Sequence, residues 1–195
     1  MSTLPINVLF LCTHNSARSI LAEAILNHIG KGRFKAYSAG SSPRDNQQPN
    51  PIGIEVLKAA GIATDGLHSK SWDDFGKPDA RRAGPPQASD APLGGSELHE
   101  VRSVGAPTPP VMNLVITVCD NAAGEVCPYW PGMPATAHWG YEDPSAGDGD
   151  DAHKREAFKQ TLHALRRRLE LLVNLPEASV NRLMLETTAR NLVKS

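Results

Sequence analysis

The tightest constraint on the fold is a junction near the start of the chain. Ile6–Leu11 reads I-N-V-L-F-L, an apolar run of the length and kind that suits a strand buried on both faces. It runs directly into a polar loop, and a helical pattern follows at once. From Ser19 to Ile29, the residues Ile20, Ala24, Ile25 and Ile29 share one face, with Gly30 as the stop. A strand buried on both faces needs helices against it, so the junction predicts a layered α/β domain rather than an all-α or all-β one.

The rest of the chain repeats the alternation. Phe34–Ser38 reads as a second strand, Pro51–Ala60 as a second helix closed by Gly61, and Met112–Val118 as another buried strand. The longest helical signal has apolar residues at Phe158, Leu162, Leu165, Leu169 and Leu172. Asp148, Asp150 and Asp151 stand before it, where the helix dipole favours negative charge. Strands alternating with helices predict a mostly parallel sheet, and ligands of such sheets bind beyond the carboxyl ends of the strands. Cys12 and Cys119 each directly follow a predicted strand.

Length and charge narrow the function. A chain of 195 residues makes one domain burying about 70% of its unfolded surface. Its 20 basic and 21 acidic side chains leave a net charge of −1, which argues against a nucleic-acid partner. No apolar run spans a bilayer, and Met1–Asn7 lacks a basic leader, so no membrane association and a cytoplasmic location are expected. Residues 78–110 hold seven of the 16 prolines and read as a flexible surface insertion, with a helical turn over Ser96–Val104. The domain is expected over residues 1–175, with residues 176–195 as a helical extension that packs on the body.

The loop itself reads C-T-H-N-S-A-R-S from Cys12 to Ser19. Between a strand and a helix start, its backbone N–H groups converge and the helix dipole adds roughly half a positive charge, so Thr13, His14, Asn15, Ser16, Ala17, Arg18 and Ser19 form a cradle for a tetrahedral oxyanion. Arg18 supplies a planar fork for two of its oxygens. The same field is expected to lower the Cys12 pKa from ~8.5. Ser19 is placed to hydrogen-bond the sulfur, and Asn15 suits a left-handed conformation.

This loop resembles that of the low-molecular-weight protein tyrosine phosphatases, and more closely that of the arsenate reductases built on the same fold. The resemblance covers about 140 residues and implies a three-layer α/β sandwich around a four-stranded parallel sheet. It makes Cys12 the nucleophile, Arg18 the oxyanion clamp and Asp143, within H-W-G-Y-E-D-P, the general acid.

Phosphatase and reductase part at the other two cysteines. A phosphatase needs one thiol, whereas a reductase must move two electrons. Cys119 in T-V-C-D and Cys127 in G-E-V-C-P match the order of cysteines in the arsenate reductases. The resemblance then implies a relay in which Cys119 resolves the arsenic adduct on Cys12 and Cys127 carries the disulfide to an external thiol system, thioredoxin or glutathione with glutaredoxin. No bound cofactor is implied. The alternatives are a phosphatase, a non-enzymatic thiol redox sensor, two inert buried thiols, or a zinc site using Cys12, Cys119, Cys127 and His14. Structural zinc sites show paired short spacings that are missing here. Ser145 and Ala146 after Asp143–Pro144 replace the tyrosines of the phosphatase wall.

Some of these reductases bind potassium beside the loop. Asn15, Glu23 and Ser38 match three of its ligands, but the aspartate is replaced within H-S-K-S-W by Lys70 or Ser71, so no metal is expected. Arg166–Arg168 reads as a solvated basic face.

Overall fold

The computed structural model describes residues 4–75, 110–119, 134–146 and 149–182. The elements run β1 (Ile6–Cys12), α1 (Arg18–Ile29), β2 (Phe34–Gly40), α2 (Pro51–Ala59), a 3₁₀ turn (Trp72–Asp74), β3 (Leu114–Thr117), β4 (Ala135–His138) and α3 (Asp151–Asn174). Residues 177–182 are again helical, with Val180 buried. Most of the expected insertion, including its helical turn, lies outside the described residues, as do Cys127 and the tail from residue 183.

The four strands form one parallel sheet in the order β2-β1-β3-β4. Register is continuous: Cys12 pairs with Gly40, Leu11 with Thr117 and Thr117 with His138. The chain leaves β1 for β2 on one side while β3 lies on the other. The crevice between β1 and β3 is therefore the switch point at which parallel sheets bind ligands.

Side-chain alternation along β1 builds two cores. Val8, Phe10 and Cys12 face a cluster with Leu21, Ile25, Leu57, Phe158 and Leu165 from the three helices. Leu9 and Leu11 face a smaller cluster with Phe75, Met112 and Val115, over which Tyr37 and Trp72 pack. Both faces being buried explains why I-N-V-L-F-L is nearly unbroken in apolar residues.

The main differences from the sequence reading lie in α1, β3 and β4, and β2 runs on to Gly40 beyond Ser38. In α1, eight consecutive residues from Ser19 to Leu26 are buried, not one stripe, because the helix sits between the sheet and α3. The third strand begins at Leu114 rather than Met112, since the Asn113 side chain accepts the Asn7 N–H (2.8 Å) and Met112 turns into the smaller core. The short edge strand β4, A-T-A-H, carries too weak an alternation to be read as a strand.

Capping fixes the helix starts. Asn50 accepts the Ile52 N–H with Pro51 in the first turn, and Asp150 accepts the His153 N–H at the head of α3. The five apolar positions read along the long helix are all buried in α3.

Candidate active site

Three strand ends converge on one place. Cys12 closes β1, Cys119 follows β3 and Asp143 follows β4. Both described cysteines are buried, Cys12 being 3% exposed.

The loop after Cys12 turns on Asn15, the left-handed residue that the sequence suggests (φ 51°). Its N–H donates to Cys12 Sγ at 3.2 Å, and Ser19 Oγ lies 2.9 Å from the same sulfur. Asn15 Nδ2 donates to Ser19 Oγ (2.8 Å), which leaves the single hydroxyl proton of Ser19 for the sulfur. Thr13 Oγ1 contacts Cys119 Sγ at 3.6 Å, so one loop residue links the two cysteine positions. His14 Nδ1 bonds the Ser42 carbonyl (2.9 Å), and the Ser16 carbonyl accepts from Asn50 N–H. Ala17 is buried as the residue before α1.

Arg18 reaches across to the segment after β4. Its Nη1 donates to the Tyr141 carbonyl (2.8 Å) and its Nη2 to Asp143 Oδ2 (2.9 Å). Its buried Nε has no hydrogen-bond partner among the described residues. Asp143 is held in turn by the N–H (2.9 Å) and hydroxyl (2.6 Å) of Ser145. Burial works to raise the Asp143 pKa, but the Ser145 hydrogen bonds and the charges of Arg18 and His14 outweigh it and hold the carboxyl below its usual range.

For Cys12 the expected lowering is not found. Burial pushes the thiol up, the hydrogen bonds of Ser19 and Asn15 oppose this only in part, and Cys119 adds to the rise. The dominant influence is burial, and Arg18 spends two of its donors on the Tyr141 carbonyl and Asp143.

A cleft of about 330 Å³ opens beside the loop, lined by Cys12, Arg18, Asp143 and Ser145 together with Arg44 and Gln47. Among the described residues, no phenylalanine, tyrosine or tryptophan lines it.

Sequence reasoning missed the supporting partners. Ser145 entered only as a replaced aromatic residue, and the Tyr141 carbonyl carries no side-chain signal. Arg168, read as part of a solvated face, stacks over Trp139 and Tyr141 at 5.8 and 5.4 Å and ties α3 to the Asp143 segment. Between Lys70 and Ser71, it is the Lys70 ammonium that reaches Glu23, at 3.3 Å.

Residues 7–78 match the family described as low molecular weight phosphotyrosine protein phosphatase. A solved arsenate reductase in its phosphate-binding state superposes with a TM-score of 0.57 at 22% identity, covering 86% of this chain and 96% of that one. The chain has the low-molecular-weight phosphatase fold. Within that fold, the arsenate reductase of Bacillus licheniformis is 28% identical over 164 residues, and that of Halalkalibacterium halodurans 26% over 163 residues. Each alignment covers 84% of this chain and 91% of the relative. The chain thus has the low-molecular-weight phosphatase fold and resembles arsenate reductases along most of its length. Among the described residues, no helix is long and apolar enough to cross a membrane.

Proposed function

We propose that the protein reduces arsenate to arsenite by a relay of three cysteines. The observation that carries this reading is the convergence of Cys12 and Cys119 on one loop, through Thr13, at the β1/β3 crevice. A phosphatase turns over with one thiol and water, whereas a two-electron reduction uses a second thiol at this place.

Arsenate enters the loop and takes hydrogen bonds from its backbone N–H groups and from Arg18, which turns from Asp143 toward the anion. Losing Arg18 removes one of the influences, beside the Ser145 hydrogen bonds, that hold Asp143 ionised, and so favours its protonation. Cys12 Sγ attacks arsenic, an S–As bond forms, and Asp143 protonates the departing oxygen as water. The Cys119 thiolate then attacks Cys12 Sγ. The S–As electron pair passes to arsenic, which leaves as arsenite, and a Cys12–Cys119 disulfide remains. Cys127 attacks Cys119, returning the Cys12 thiolate and forming a Cys119–Cys127 disulfide. An external dithiol or glutathione system, thioredoxin or glutaredoxin, supplies the two electrons that reopen it.

The test couples the protein to NADPH through thioredoxin and its reductase, or through glutathione, glutaredoxin and glutathione reductase. Arsenate-dependent NADPH oxidation with one of the systems, lost in Cys12→Ser, Cys119→Ser and Cys127→Ser, is the expected result. Rapid hydrolysis of p-nitrophenyl phosphate with no arsenate-dependent oxidation in either system would overturn the reading in favour of a phosphatase.

A further inference from the structure

The steps above make no use of a buried ion pair behind the loop. Lys70 Nζ lies 3.3 Å from Glu23 Oε2, with side chains 12% and 11% exposed. Burying two charges rarely stabilises a fold by itself, so what the pair orients is the more informative question.

The hydrogen bonds lead from the pair to the sulfur without a break. Lys70 Nζ donates to Glu23 Oε2 and to the His68 carbonyl (3.0 Å). The Ser38 hydroxyl donates to the same Glu23 oxygen. Because that proton is engaged, Ser38 Oγ accepts one N–H of the Asn15 amide (2.8 Å), and Ser19 Oγ accepts the other. Asn15 Oδ1 takes the Lys70 backbone N–H (2.7 Å), and its main-chain oxygen takes the Ser69 hydroxyl (2.7 Å). Every polar atom of Asn15 is thereby fixed, which sustains its positive φ and aims its N–H, with the Ser19 hydroxyl, at Cys12.

We propose that Lys70 is a positioning residue, a tethered monovalent cation that holds Glu23, Ser38 and Asn15 in the arrangement that aims two donors at Cys12. The potassium site implied by the resemblance does not fit this chain. Its carboxylate already faces the Lys70 ammonium, and its asparagine oxygen already accepts the Lys70 backbone. The catalytic loop is accordingly independent of added alkali cations, and removal of Lys70 creates a dependence that the native chain lacks. A second cleft, lined by Glu23, Asn27, His28 and Asp65, gives small solutes a route to Glu23 from solvent. This inference rests on Cys12 being the reactive thiol, but not on what that thiol acts upon.

The test follows alkylation of Cys12 by iodoacetamide in a Cys119→Ser/Cys127→Ser background, at fixed pH and equal ionic strength. Choline, potassium and methylammonium chlorides are compared. With Lys70 present the rate is the same in all three salts, and Lys70→Arg retains it. Lys70→Ala is expected to react about tenfold more slowly in choline, the scale of one hydrogen bond to a charged group, and to recover in potassium or methylammonium. An unchanged rate, or a loss that neither cation restores, would overturn the proposal. Should Lys70→Ala fail to fold, Glu23→Gln/Lys70→Met removes both charges together. It is expected to react slowly in every salt, and a native rate would contradict the proposal. Arsenate turnover is not read, so failure of the reductase reading leaves this outcome unaffected.

Discussion

At the scale of single residues, Cys12, the proposed nucleophile, is governed by two opposing influences. Burial disfavours the Cys12 thiolate, while Ser19 and Asn15 donate toward it. The pH midpoint of Cys12 alkylation is therefore expected above the ordinary ~8.5 of a cysteine. Ser19→Ala moves it further up. Asp143→Ala releases Arg18 from its partner and moves it down; a midpoint that stays put in Asp143→Ala would show that Arg18 is not the reserve of positive charge. The sign of the stability linkage follows from the same shift. With its folded pKa raised, Cys12 contributes stability that is fully present below the unfolded value and lost as pH rises through the folded one. Asp143 behaves oppositely, because its folded pKa is depressed. Its contribution is present above the ordinary carboxylate range and lost as pH falls through the folded value, so denaturation midpoints of native protein and Asp143→Asn should converge in acid. Residues of this kind were readable where a side chain has one evident task. Asn15 and Ser19 stand as the sequence suggested. The direction of Arg18 did not follow, because its choice between anion and carboxylate depends on a segment more than a hundred positions away.

At the scale of elements, the decisive contact is between β2 and the loop that leaves β1. A Cβ on Gly40 would lie 2.7 Å from the Thr13 carbonyl oxygen and 3.0 Å from the Asn15 N, both rigid backbone atoms. Gly40→Ala is expected to displace the loop, lowering stability by about 1–3 kcal/mol and slowing Cys12 alkylation together with turnover. Native alkylation kinetics in that variant would show that the loop tolerates displacement. Strand β1 could be read from its unbroken apolar run, buried on both faces, and α3 from its periodic apolar stripe. Helix α1 announced its position but not its full burial, since a helix covered on several sides loses the amphipathic stripe. Strand β4 is four residues at a sheet edge, and its pairing comes from β3 rather than from any strong preference of A-T-A-H.

At the scale of the molecule, parallel order places the three candidate side chains, Cys12, Cys119 and Asp143, at one rim, and α3 packs behind them. Phe158 is fully buried against α2, its ring standing where a Cβ on Gly53 would meet it. Phe158→Ala is expected to cost about 3–5 kcal/mol in chemical denaturation, with alkylation of Cys12 changed far less than by Gly40→Ala. The parallel sheet and its ligand crevice were readable because βα alternation admits few other solutions. Less readable was the way α3 serves the site, since Arg168 reaches Trp139 and Tyr141 only once strand order is set. The central claim, that Cys119 takes over the sulfur of Cys12 and expels reduced arsenic, is tested most directly in a single turnover of Cys127→Ser. Arsenate is mixed with the reduced variant, and disulfides and arsenite are quantified together. One arsenite per chain with a Cys12–Cys119 disulfide is the predicted result. Intact thiols and no arsenite, in a variant whose Cys12 still alkylates normally, would contradict it.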